Sequence, residues 1–260
     1  MHIHKERILD VFRQYVHSFD GVDEGIKLKY EHSLRVSSYS EQISRSLSLS
    51  EEDVQLAWLI GVLHDIGRFE QLKKFHTFID HVSMDHAAYG VNYLFTRGHI
   101  RDFLDDDRTD DIIREAIANH NGYAIDKTLS LRQRLFDEII RDADKVDIFS
   151  IYLRNIRSDH NVWNVDTSNL SYQPISESVM TWARQSVSVP TKEKHTFMDY
   201  YAGMLCMYFD IHFDKTQELI AERGEFATLL DFHSKNEETE RKLNEIRRLI
   251  HDFTTQRRKR

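Results

Sequence analysis

From Val54 to Leu63 the chain is apolar almost without interruption, and this run constrains its fold more than any other feature. A helix that is hydrophobic on every side has no solvent face, so it must lie at the centre of a domain with other elements packed around it. Ser50-Glu51-Glu52-Asp53 supplies its start: a side-chain acceptor at the N-cap, then acids in the first turn, where the helix dipole favours them. The run leads straight into His64-Asp65-Ile66-Gly67, where Gly67 is expected to stop the helix.

The surrounding elements read as helices too. The 260 residues include only 2 Pro and 9 Gly, too few for the many turns of an all-β protein. Ile8, Phe12, Tyr15, Val16 and Phe19 recur at three- and four-residue steps and predict an amphipathic helix ending near Asp20-Gly21. A second helix carries Leu28, Val36, Tyr39, Ile43 and Leu47. Lys73 to Ser83 has no clear period; Ser83 is then expected to cap a helix with Met84, Ala87, Ala88, Val91, Leu94 and Phe95 buried. Asp105-Asp106-Asp107 reads as a solvated loop. Ile112, Ile113, Ala116 and Ile117 mark the next helix, and Ser130-Leu131-Arg132-Gln133 opens another. Residues 158–175 read as a long loop, followed by helices over 176–187 and 194–222. The last segment, Lys235 to Arg260, alternates charges and predicts a solvated helix that frays. With no repeat and no linker that cuts the chain, the expected architecture is all-α. It is one helical domain over 1–260, with a core at 28–150 and a C-terminal helical extension at 176–256.

The formal charge of −8, from 35 basic and 43 acidic side chains, argues against general nucleic-acid or membrane binding through a positive field. Cys206 is the single cysteine and sits in an apolar run, so it reads as a buried small hydrophobe in a reducing compartment. Met1-His2-Ile3-His4-Lys5-Glu6 has no apolar signal core, and no stretch approaches the ~20 apolar residues of a membrane span. A cytoplasmic protein is expected.

The 15 histidines matter for where some of them fall. His32 stands at Leu28 plus four, interrupting an apolar stripe. His120 continues the face of Ile113 and Ile117, and Asp144 follows Phe136 and Ile140 at four-residue steps. His86 and the pair His64-Asp65 also lie on a buried face or at a helix end. Burying an unpartnered imidazole costs on the order of 1 to 3 kcal/mol, and an unpaired carboxylate more; a divalent cation would satisfy the whole set. Singly, each has an ordinary alternative: a hydrogen-bonded core histidine, or for Asp144 an ion pair with Arg141. Neighbouring helical residues point about 100° apart, so His64 and Asp65 can share an ion only beyond the helix end, where a carboxylate can also bridge two ions. No GxxxxGK[ST] loop, GxSxG elbow or CxxC pair competes.

An H…HD…D pattern is matched by Glu31-His32, by Leu63-His64-Asp65-Ile66-Gly67-Arg68 and by Asp142-Ala143-Asp144-Lys145-Val146-Asp147. Over 28–150 the chain thereby resembles the HD-domain metal-dependent phosphohydrolases. The resemblance implies an HD-type helical bundle in which His32, His64, Asp65 and Asp144 hold one ion. His86, in Asp85-His86-Ala87-Ala88-Tyr89-Gly90, and His120, in Ala118-Asn119-His120-Asn121-Gly122, resemble the extra histidines of the binuclear branch. That branch includes HD-GYP phosphodiesterases and diadenosine tetraphosphate hydrolases, and its HD aspartate bridges two ions. One or two of Mn, Fe, Co, Ni or Zn are implied, with hydrolysis of a nucleotide or other small phosphate mono- or diester by metal-activated water. Asn119-His120-Asn121 stands where HD-GYP enzymes carry His-His-Glu, and no Gly-Tyr-Pro follows, which counts against cyclic di-GMP. Arg68, where similar proteins often carry Lys, is expected to meet a phosphoryl oxygen, and Lys145 is a second such cation. Either can instead balance Glu70 or Asp147. His81, His195 and His212 read as surface or core residues. Two other readings stay open: a di-iron oxygenase with the same six ligands, as in inositol oxygenase, and a catalytically silent nucleotide-sensing module.

Overall fold

The computed structural model describes residues 3–19, 23–157 and 169–257, and no strand occurs among them. The expected helix end at Asp20-Gly21, the first part of the 158–175 loop and the terminal Arg258-Lys259-Arg260 lie outside these residues. The chain divides into two compact units, Met1–Asp147 and Ile148–Arg260.

The first unit contains α1 (Lys5–His17), α2 (Glu24–Ser46), α3 (Glu51–Leu63), α4 (Gly67–Phe75), α5 (His86–Val91), α6 (Ile100–Phe103), α7 (Asp110–Asn119) and most of α8 (Leu131–Arg157). The apolar α3 is the buried centre that its sequence demands, with Val54 and every residue from Leu56 to Leu63 buried. Ser50 caps it by accepting from the Asp53 amide at 3.2 Å.

Two close approaches fix the frame. A Cβ on Gly61 of α3 would stand 2.5 Å from Ser37 Cα of α2. Buried Ser33, Ser37, Ser40 and Ser44 give α2 the low profile this crossing needs. The face of α2 that is buried therefore runs through Ile26, Lys29 and His32 rather than through Leu28, which stays half-buried. The second approach is at Gly67, which does not stop α3 with a left-handed turn. Among the described residues, positive φ at glycine is confined to Gly98 and Gly224, and the chain passes through His64 and Ile66 in the right-handed α region. Gly67 instead opens α4, and a Cβ there would lie 2.1 Å from the His86 carbonyl oxygen. Glycine is required because the α5 backbone lies against it.

The cap of α5 is Asp85, which accepts from the Ala88 amide at 3.0 Å, and not Ser83. The Ser83 hydroxyl is already engaged, donating to the Ile79 carbonyl and accepting from Gln71. His86, Ala87 and Gly90 of α5 and Leu94 in the π-type turn after it are buried, whereas Ala88 faces solvent. The Asp105–Asp107 loop is as expected, with Asp105 paired to Arg7.

The second unit holds the last turns of α8, then α9 (Glu177–Ala183), α10 (Phe197–Cys206), α11 (Asp214–Arg223), α12 (Glu225–Leu230) and α13 (Glu237–Arg257). The helix expected over 194–222 is two helices. A capping box between Thr196 and Asp199 opens α10, and the chain becomes extended at Ile211 and Phe213. Arg257 donates to the carbonyls of Ile211 and His212, engaging acceptors that a continuing helix would use, while Tyr208 stacks on Phe226 with centroids 4.8 Å apart. The final helix is amphipathic rather than merely solvated: Thr239, Leu243, Ile246 and Ile250 are buried along one face of α13. Cys206 is buried, and that burial pushes its thiol pKa up to about 12, so it is inert. Among the described residues no helix is long and apolar enough to cross a membrane.

Candidate metal centre

Five helices of the first unit converge on one buried cluster. α2 supplies His32, the end of α3 supplies His64 and Asp65, α5 supplies His86, the end of α7 supplies His120, and α8 supplies Asp144. All six residues singled out in the sequence as ligands are brought together.

Asp65 is the middle of the cluster, and its two oxygens face different partners. Oδ2 lies 3.4 Å from His32 Nε2 and 3.6 Å from His64 Nε2, with His32 Nε2 and His64 Nε2 3.3 Å apart. Asp144 Oδ1 completes this side, 3.2 Å from His32 Nε2 and 3.9 Å from His64 Nε2. Oδ1 of Asp65 lies 3.2 Å from His86 Nε2 and 3.5 Å from His120 Nε2, which are 3.0 Å apart.

Each of the four imidazoles is aimed by its other nitrogen. His64 Nδ1 donates to the Gly61 carbonyl at 2.8 Å and His120 Nδ1 to the Ile117 carbonyl at 2.7 Å. His32 Nδ1 bonds Asp147 Oδ2 at 2.8 Å, and His86 Nδ1 bonds Asp80 Oδ2 at 2.7 Å. Both carboxylates are themselves held, Asp147 by Arg35 through Nε at 2.7 Å and Nη2 at 3.0 Å, Asp80 by Arg68 and Gln71. With protons fixed on the Nδ1 side, the Nε2 lone pairs converge, an arrangement that repels itself unless a cation or proton sits between them.

The donor set fits divalent transition metals. Two nitrogens each ~2.1 Å from a shared ion, at a tetrahedral or slightly smaller angle, are roughly 3 to 3.4 Å apart, which is the spacing of both histidine pairs. The groups His32, His64, Asp144 and His64, Asp65, His120 each have ligand atoms within 4.8 Å of one another.

Without an ion, the electrostatics do the same work with protons. Burial pushes His32 down, but the carboxylates of Asp144, Asp147 and Asp65 outweigh it and raise its pKa to about 10. Burial lowers His64 to about 3, leaving it neutral. Burial alone would raise Asp65, yet Lys29 and the facing imidazoles hold it well below the usual carboxylate range. Asp144 and Asp80, with side chains 22% and 31% exposed, are the open edges of an otherwise buried cluster.

Residues 30–148 match the family model of the HD domain. The chain carries an HD domain. HD domains are generally metal-dependent hydrolases, some of them non-catalytic, and the match covers every residue of the cluster from His32 to Asp144. No curated protein and no solved structure matches the chain.

Arg68 and Lys145 sit less openly than the sequence suggests. Arg68 Nη1 donates to Gln71 Oε1, the Phe78 carbonyl and Asp80 Oδ1 at 2.6 to 2.7 Å, with its Nε 3.5 Å from Asp65 Oδ1. Lys145 is buried and donates to the Arg141 carbonyl at 3.4 Å. Sequence reading missed Lys29, whose ammonium is 2.7 Å from Asp65 Oδ2, as well as the roles of Asp80, Asp147 and Arg35. The available signal was spacing: Lys29 lies one turn before His32, and Asp147 nearly one turn after Asp144.

Proposed function

We propose that this HD domain is a two-ion phosphohydrolase acting on a nucleotide or another small phosphate mono- or diester. The observation that carries the reading is the division of Asp65, one oxygen to the His32–His64 pair and the other to the His86–His120 pair. His32, His64, Asp65 and Asp144 would hold one ion, and Asp65, His86 and His120 a second. Ions held there, among Mn, Fe, Co, Ni or Zn, supply an acidified water as nucleophile and neutralise phosphoryl charge. The protein's own contribution is orientation. Asp147 and Asp80 keep His32 and His86 in the tautomer that presents Nε2 inward, and Arg68 ties Asp80 to Gln71 so that this support does not drift. A cation held at His32 Nε2 would stand where the proton does, so metal binding there would be coupled to proton release. The half-open edge at Asp144 is where a phosphate ester would enter.

Elemental analysis of the purified protein, followed by phosphate release from mono- and diester panels, tests the reading. Asp65→Ala should lose both ions and all release. A metal-replete, active variant would end the bridging role, and iron-dependent oxygen uptake without phosphate release would replace hydrolysis by oxygenase chemistry.

A further inference from the structure

Two cations flank Asp65, and they are not equivalent. Arg68 is fastened by three acceptors on Nη1, while its buried Nε, 3.5 Å from Asp65 Oδ1, makes no hydrogen bond. Lys29 Nζ, with a side chain only 9% exposed, has Asp65 Oδ2 as its acceptor at 2.7 Å and lies over the Phe78 ring at 5.5 Å. An ammonium carries three donors, and desolvating one is costly unless its hydrogen-bonding capacity is used. Lys29 uses one donor on an oxygen that the proposed ion pair also claims. Once Asp65 Oδ2 shares its charge with a cation, Lys29 becomes a buried positive charge beside the ions with donors to spare, and an anionic oxygen entering there satisfies it.

We propose that Lys29 is a side chain that contacts a non-bridging phosphoryl oxygen of the substrate, on the His32 side of the centre. This rests on the phosphohydrolase reading of the same site. Its position one turn before His32 on the rigid α2 keeps the ammonium in register with the first-ion donors. Arg68 is then a positioning residue, linking Asp65 to Asp80 and through it to His86.

The test uses full-length wild type, Lys29→Met and Lys29→Arg, each loaded with Mn or Zn, with inorganic phosphate as probe. Metal per chain is read by elemental analysis, metal affinity of the stripped protein by competition with a chelating dye, and phosphate binding by calorimetry. The expected result is that Lys29→Met keeps its metal, binding it at least as tightly because a competitor for Oδ2 has gone. It should bind phosphate at least tenfold more weakly, with Lys29→Arg recovering most of the loss. If Lys29→Met does not fold, Lys29→Gln, which still donates to Asp65 without the charge, replaces it and should show the same loss. Phosphate bound with wild-type affinity by a metal-loaded, charge-neutral variant would overturn the assignment while leaving the phosphohydrolase reading intact. Wild type that takes up metal but binds no phosphate would overturn both.

Discussion

Gly67→Ala tests how tightly the frame positions the centre. The added methyl carbon would meet the His86 carbonyl oxygen at 2.1 Å, about 1.3 Å inside the 3.4 Å where ordinary contact begins. The obstructing atom is backbone, so no rotamer change relieves it; α4 and α5 have to separate. A metal site tolerates ligand displacements of roughly 0.2 Å, so a shift near 1 Å carries His86 out of reach of an ion on Asp65 Oδ1. Overpacking of this kind costs ~1–3 kcal/mol of stability, occasionally more. If the proposed two-ion reading holds, the expected outcome is a folded but destabilised protein whose metal content falls from two ions per chain to one, since His32, His64 and Asp144 are carried by other elements. Urea denaturation and elemental analysis read the two effects. A variant with wild-type stability and two ions would refute the claim that this backbone approach sets the position of His86.

Further outcomes follow from groups around the cluster. Asp147→Asn removes the charge that aims His32 and pairs with Arg35, and should weaken metal binding by roughly 10- to 100-fold in a dye competition assay; unchanged affinity would exclude that supporting role. Asp137 is buried, with Asn119 donating to one oxygen, and burial raises its pKa to about 6. A carboxyl that binds its proton more tightly when folded contributes stability below its unfolded pKa, and that stability is lost as pH rises through about 6. Asp137→Asn should therefore gain on wild type between pH 4 and 7, by up to ~3 kcal/mol, in parallel thermal melts. A difference that does not change with pH would rule out the perturbed carboxyl.

The parts of this protein legible in its sequence are those in which an apolar pattern is interrupted. His32, His120 and Asp144 each break or end a helical stripe, and α3 announces its own burial. His86 was placed with them by its position near a predicted helix end, and only its part in a second ion site came through resemblance to a family. Lys29 was overlooked because a charged residue ordinarily reads as surface, and its partner Asp65 is 36 positions away on another helix. Asp80 and Asp147 were overlooked because they act on histidines, six and 115 positions away in sequence, through side-chain contacts that the apolar period does not encode. Gly67 was assigned a conformational role when its actual role is proximity, which depends on where α5 packs. In the second unit, the break after Cys206 has neither Gly nor Pro to signal it, and the charged residues of α13 concealed Leu243, Ile246 and Ile250 at helical spacing.

Three of the four converging imidazoles are aimed by groups no more than six positions away in the chain, whereas His32 is aimed by Asp147, 115 positions later. During synthesis, donors at the ends of α3 and α7 can be oriented early, while the His32 side gains both Asp144 and the support of Asp147 only after α8 has been made and has docked. On the proposed reading, ion capture on that side would report completion of the N-terminal unit, and a chain truncated before residue 144 would keep His32 and His64 but lack the carboxylates of Asp144 and Asp147.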